Sequence, residues 1–142
     1  MSDPRKTVSF EGIEAEYVTF PIDDSTITYS ATEENGSAQV GLAVTLKSDD
    51  TIELVGDGEF VLGKLIKVEA DDYATVQVGG YMQLPGGASA TLTRGLGVVG
   101  DLGAASAEGY IRAVATGTAA ELGTQNGKIV DPSVTTAVWV KL

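Results

Sequence analysis

The sequence predicts an all-β domain over residues 25–142, a barrel or a sandwich, preceded by an extended N-terminal arm over residues 1–24. Three observations carry this. Short apolar runs with a two-residue period alternate with clusters of Gly, Asn and Asp, repeating at about the 8–12-residue spacing of strands and tight turns. The 18 glycines fall mostly between those runs. The only stretches with helical propensity, residues 102–107 and 118–122, are short and flanked by glycine, enough for one or two turns. At 142 residues with 43% hydrophobic side chains, the chain is long enough to bury one substantial core.

Taken in order, the arm begins with polar and basic residues and then carries spaced apolar ones, Val8, Phe10, Ile13, Tyr17, Val18 and Phe20, with Pro4 and Pro21 near its two ends. The spacing is neither helical nor strictly alternating. It therefore reads as irregular extended chain or as a tail leading into a first edge strand. Residues 25–31 (STITYSA) are rich in β-branched and aromatic types and read as a strand. Asn35-Gly36 supplies a turn with positive φ. Val40, Leu42, Val44 and Leu46 alternate along the next strand, and Ser48-Asp49-Asp50 turns the chain into residues 51–55. Residues 60–68 form a longer strand with Gly63 as a kink point. Residues 73–84 carry the clearest alternation: Ala74, Val76, Val78, Met82 and Leu84 on one face, Tyr73, Thr75 and Gln77 on the other. Beyond Pro85-Gly86-Gly87, further strands are expected at 88–94, 95–99, 109–115, 128–130 and 135–142.

The charge narrows the partners. Nine Lys and Arg stand against 20 Asp and Glu, a net charge of −11, with 14 of the acids in residues 1–70. Such a chain repels phosphate backbones and anionic lipid, so neither nucleic acid nor a membrane surface is an expected partner. No run approaches the roughly 20 apolar residues of a membrane helix. The N-terminal MSDPRKTVSF lacks the apolar centre of a signal peptide, which favours cytoplasmic synthesis without export. Asn35-Gly36-Ser37 matches a glycosylation acceptor but reads as a turn. The absence of His and Cys removes imidazole acid–base chemistry, Cys and Ser–His nucleophiles, and Cys/His zinc sites. A non-enzymatic protein without cofactor or metal is expected.

Each motif that suggests chemistry has a plainer reading. Gly95-Leu96-Gly97-Val98-Val99-Gly100 spells a dinucleotide fingerprint, and Glu121 lies where a ribose-binding acid would. However, Gly100-Asp101-Leu102-Gly103 follows where a helix must start. A glycine-rich strand that bends or packs closely is the alternative. The run from Gly123 to Ile129 has three residues between its glycines and Ile129 in place of a magnesium-binding hydroxyl, so Asn126-Gly127 reads as a hairpin turn. The doublets Asp23-Asp24, Glu33-Glu34, Asp49-Asp50 and Asp71-Asp72 could pair carboxylates for glycoside hydrolysis or hold calcium. They sit between strands, where solvated acids make turns. Trp139, the single Trp, lies opposite Val138 and Val140 in strand parity and is either core or interface anchor.

The texture of the chain resembles the head decoration, or cement, proteins of tailed phages. The resemblance rests on Leu62-Gly63-Lys64-Leu65-Ile66, the turn Asp71-Asp72, and Thr75-Val76-Gln77-Val78-Gly79-Gly80. It continues through Leu96-Gly97-Val98-Val99-Gly100-Asp101, then Gly109-Tyr110-Ile111-Arg112-Ala113-Val114-Ala115, and a closing Thr- and Val-rich strand. It spans residues 25–142 without a diagnostic motif. It implies a single antiparallel β-barrel or β-tulip-like domain on the exterior of a virion. It further implies a homo-trimer or dimer that binds the major capsid protein and stabilises the shell. On that expectation the partner contacts are Arg5, Lys6, Val8, Phe10, Tyr17 and Phe20 of the arm together with Trp139. The alternatives are another virion component (tail tube, head completion or fibre) and a carbohydrate-binding β-domain. The last requires a cluster of aromatics, which no segment of a chain with 6% aromatic residues supplies.

Overall fold

A computed structural model of the protein describes residues 15–47, 50–88, 90–115 and 119–142. It is all-β, with 40% of residues in strands and 10% in helices. The strands are β1 (Glu16–Pro21), β2 (Ala43–Leu46), β3 (Ile52–Leu54), β4 (Gly63–Val68), β5 (Tyr73–Gly79), β6 (Tyr81–Leu84), β7 (Val98–Asp101), β8 (Tyr110–Ala113), β9 (Lys128–Asp131) and β10 (Val138–Lys141). Among the described residues a short helix, α1, covers Ala119–Thr124, and 3-10 turns cover Glu34–Gly36 and Ala104–Ser106. The helix α1 falls where glycine-flanked propensity placed one over 118–122, whereas residues 104–106 form only a turn, with left-handed backbone at Ala105 and Ser106.

The strands make three sheets, and every strand pair within them is antiparallel. Five strands follow the order β1-β5-β4-β2-β3, three follow β6-β10-β9, and β7 pairs with β8. The long alternating run 73–84 is split between two sheets. Gly80, at φ +90°, turns the chain from β5 into β6. Gln77, buried despite its amide, holds that corner by donating to the Gly79 and Tyr81 carbonyls at 3.2 and 3.1 Å.

Two cores lie on either side of the β2–β3 pair. Ile22, Ile27, Val44, Ile52, Leu54, Leu65, Val68, Ala74 and Val76 form one. Ala43, Val55, Val61, Met82, Leu84, Val98, Ile111 and the inward residues of β9 and β10 form the other. Val44 and Ala43 therefore point to opposite cores from adjacent positions, as strand parity requires.

Several expectations need correction. Residues 25–31 form no strand. Their β-branched content serves other ends: Ile27 is a fully buried plug in the first core, and the Thr26 hydroxyl accepts from the Leu54 amide at 3.0 Å. Conversely, residues 16–21, expected within the arm, are strand β1, paired with β5 through Val18↔Val76 and Phe20↔Ala74. The described residues of 88–94 form no strand, and β10 starts at Val138 because residues 134–137 make a turn. The irregularity in β4 lies between Leu65 and Lys67 rather than at Gly63, where the strand begins. Asn126-Gly127 turns the chain from α1 into β9, so the turn is real but joins no hairpin.

Candidate functional site

Strand parity gives the molecule an outer face shared by two sheets. On β1, β5 and β4, the residues Tyr17, Gln77 and Lys64 are register partners and point away from the first core. On β6 and β10, Gln83 pairs with Trp139 and Tyr81 with Lys141, opposite to Met82, Leu84, Val138 and Val140, which enter the second core. Tyr17, Tyr81 and Trp139 come together there, lining one shallow depression with Lys64, Gln77 and Gln83. The ammonium group of Lys141 lies 5.8 Å from the Tyr81 ring centroid, within cation–π range.

Two of the expected contact residues, Tyr17 and Trp139, are thus brought together from opposite ends of the chain. Tyr17 is 56% exposed, while Trp139 is half-buried. Phe20 is not with them; parity turns it to the other side of β1, where it packs against the first core. Arg5, Lys6, Val8 and Phe10 lie outside the described residues. Sequence reading missed Tyr81, Gln83 and Lys64. Their signal was present, since Tyr81 and Gln83 alternate with Met82 and Leu84. The convergence itself depends on the turn at Gly80, which a linear pattern does not specify.

A second cluster is electrostatic. Arg112 on β8 donates from Nε to Asp57 at 3.1 Å and from one terminal nitrogen to Glu121 Oε2 at 3.0 Å, and its other terminal nitrogen pairs with Glu121 Oε1. The Ala115 amide donates to Glu121 Oε2 at 2.8 Å. The guanidinium and this amide hold the Glu121 carboxyl down to about 2, and the same pairing raises the Arg112 pKa above its ordinary value. Glu121 therefore anchors the start of α1 to β8 as a fixed ion pair, with Oε2 accepting from both Arg112 and the Ala115 amide and Oε1 from Arg112. Asp23 is likewise held down to about 2, first by Lys47 and then by the Ser25 amide at 2.9 Å.

The remaining motifs are structural where the structure describes them. Residues 98–100 of the glycine fingerprint are in β7, which is followed by a short turn at Ala104–Ser106 and not by an α-helix. Gly100 is needed for close approach: a Cβ there would lie 2.1 Å from the Gly56 carbonyl oxygen. That proximity lets Gly100 exchange hydrogen bonds with Gly58 and Glu59, each at 2.9 Å. Among the described residues, no group of three or more acidic side chains is arranged to hold a metal ion. No described helix is long and apolar enough to cross a membrane. Comparison with protein-family models, with curated proteins and with solved structures finds no match for this chain.

Proposed function

We propose that the protein is a structural virion component that binds the outer surface of an assembled phage capsid, as a decoration protein does, and stabilises the shell without catalysis. The observation that carries this reading is the meeting of Tyr17 and Trp139 on one outer face, with Tyr81 beside them. Large, rigid aromatic side chains on a fixed sheet surface are the residue types that dominate binding energy at protein interfaces. The lack of His and Cys and the engagement of Arg112 and Glu121 with each other support a binding role over an enzymatic one. A net charge of −11 keeps free copies apart before they meet a shell. The test is electron microscopy of purified protein mixed with candidate capsids. Added density at regular surface positions supports the reading, and bare shells across the candidate set sink it.

A second reading has a specific observation in its favour. No segment of the sequence concentrates aromatics, yet the fold gathers three of them beside two glutamines. Rings that stack on sugar faces and amides that meet hydroxyls are what a carbohydrate-binding β-domain uses. Binding of wild-type protein to a glycan array, lost in Trp139→Ala and accompanied by bare capsids, would favour this reading.

A further inference from the structure

The cations of this acidic chain are not spread evenly. It carries 9 Lys and Arg against 20 Asp and Glu. Seven of those nine fall among the described residues, and four of the seven are lysines on one surface, the outer face shared by the five-stranded and three-stranded sheets. Register places them. Lys64 and Lys67 of β4 stand beside Gln77 and Thr75 of β5, and Tyr17 and Thr19 of β1 complete the same two rows. In the three-stranded sheet Lys141 of β10 lies between Tyr81 of β6 and Lys128 of β9. The acids that border this face have company: Glu69 lies 3.1 Å from Lys67, Asp131 lies 3.6 Å from Arg94, and a Cβ on Gly79 would lie 3.0 Å from the Glu16 carboxyl. Lys128 and Lys141 are direct cross-strand partners, a like-charge pairing that costs stability within a sheet. Local rules of this kind are broken mainly where a surface has work to do.

Rings and ammonium groups are arranged here as centre and rim. Tyr17, Tyr81 and Trp139 meet in the depression, and of the four lysines only Lys64 lines it. Lys67 lies one row further along β4, and Lys128 and Lys141 lie on the far strands of the three-stranded sheet. A site for one small anion needs cations that converge on it, whereas these are distributed around the rings. Aromatic anchors in the middle with charges outside them are the anatomy of a contact between proteins. We propose that this face docks on an acidic protein surface, a patch of Asp and Glu carboxylates around an apolar centre, presented by the shell that the protein decorates. The inference rests on the capsid reading and adds to it the chemistry of the partner and the side of the molecule that meets it. The rings enter the apolar centre, and the lysines meet carboxylates at the rim, where charges steer the encounter. The acidic remainder of the molecule is then turned to solvent.

Trp139 is the one Trp of the chain and lies at the centre of this face, so its emission reports binding there. Poly-L-glutamate is the probe, because it offers carboxylates on a polypeptide. At about 10 mM salt, where the screening length is about 30 Å, it should change the Trp139 emission saturably. At about 1 M salt, where that length is about 3 Å, the change should vanish. Lys128→Gln with Lys141→Gln, both at exposed positions, should weaken the affinity about three- to twentyfold, the loss of two exposed ion pairs. Lys128→Arg with Lys141→Arg should retain it. Ala104→Glu with Ala107→Glu, in the exposed turn after β7, lowers the net charge by the same amount and should weaken binding by less than about twofold. A silent titration overturns the proposal. Equal weakening in the Gln and Glu double variants also overturns it, by showing net charge alone at work. A response to polygalacturonate with none to poly-L-glutamate overturns it in favour of an acidic sugar. On a capsid that binds the protein, occupancy should fall as salt rises. Occupancy that rises with salt would keep the capsid reading and remove this face from the contact, and bare capsids with a positive titration would do the reverse.

Discussion

Ala43 and Val44 are consecutive residues of β2, both with no exposed surface, and they belong to different cores. The strand is consequently buried on both faces, which is unusual for an antiparallel sheet with a solvated outer side. It makes β2 the shared wall between two hydrophobic clusters. A wall held by both sides cannot be lost from one without exposing the other, so the two cores should behave as one cooperative unit.

Val44→Ala tests that coupling. Removing two methyl groups at a closed site should cost about 2 kcal/mol, from lost transfer energy and the cavity left behind. The change is made in the first core, whereas Trp139 sits on the sheet that covers the second. Urea unfolding followed by Trp139 fluorescence and by circular dichroism should give one coincident transition with a lowered midpoint. Two separated transitions would show the cores to be independent.

Acid should weaken the fold over a defined window. Glu121 and Asp23 are both held to about 2, below their ordinary values of 4.5 and 3.8. A carboxylate with a depressed folded pKa contributes stability that is complete above its unfolded pKa and is lost as pH falls through the folded one. The loss should therefore run from about pH 5 down to about pH 2. Glu121→Gln should flatten part of that slope and leave the Asp23 share. Glu108 acts in the opposite sense, because burial and then Glu53 and Glu59 raise its pKa. Thermal melts from pH 7 to pH 2 measure the balance, and a slope identical in wild type and Glu121→Gln would refute the role given to the ion pair.

What the sequence made legible follows from range. Two-residue alternation exposed β2, β5, β6 and β10, because a half-buried strand writes its parity directly into the chain. Turn chemistry was legible too: Asn35 at φ +56° and Asp72 at φ +63° adopt the left-handed backbone that Asn and Asp tolerate. Residues 25–31 misled because β-branched composition describes a fit to a sheet surface, and here Ile27 and Thr26 meet such a surface without joining it. β1 was obscured because four of its six residues are exposed, which blurs the alternation of an edge strand. The aromatic depression was least legible, since Tyr17 and Trp139 are joined by tertiary structure alone.

Gly100 should tolerate no side chain. In Gly100→Ala the new carbon meets the Gly56 carbonyl oxygen at 2.1 Å and a Val55 methyl at 2.5 Å, and the backbone carbonyl cannot swing aside. Overpacking of this kind costs typically about 1–3 kcal/mol. The midpoint of chemical denaturation should fall accordingly. Titration of wild-type protein with dinucleotides and nucleoside triphosphates should give no saturable binding, since Gly97 packs against Gln125, Gly100 against the Gly56 carbonyl, and β7 opens no α-helix. Stoichiometric nucleotide binding lost in Gly100→Ala would reverse that assignment.

Truncation separates the arm from the strand. Deleting residues 2–20 would remove most of β1, strip the pairing partners from Val76 and Ala74, and take Phe20 out of the first core. A loss of capsid binding in that variant would report damage to the fold as readily as loss of a contact. Deleting residues 2–14 leaves every described strand in place. It should preserve the spectrum and the denaturation midpoint, while removing Val8 and Phe10 as apolar anchors and Arg5 and Lys6 as partners for acidic groups. Ordering backbone costs about 1–2 kcal/mol per residue, and buried side chains of this size return about 1.5–3 kcal/mol each. An arm that docks by those anchors should therefore bind only where a partner surface covers them. The expected outcome is a folded variant with reduced occupancy on the shell, measured by sedimentation of capsid-bound protein. Undiminished occupancy would move the whole contact to the β-domain, and Tyr17→Ala with Trp139→Ala would then be the pair that abolishes it.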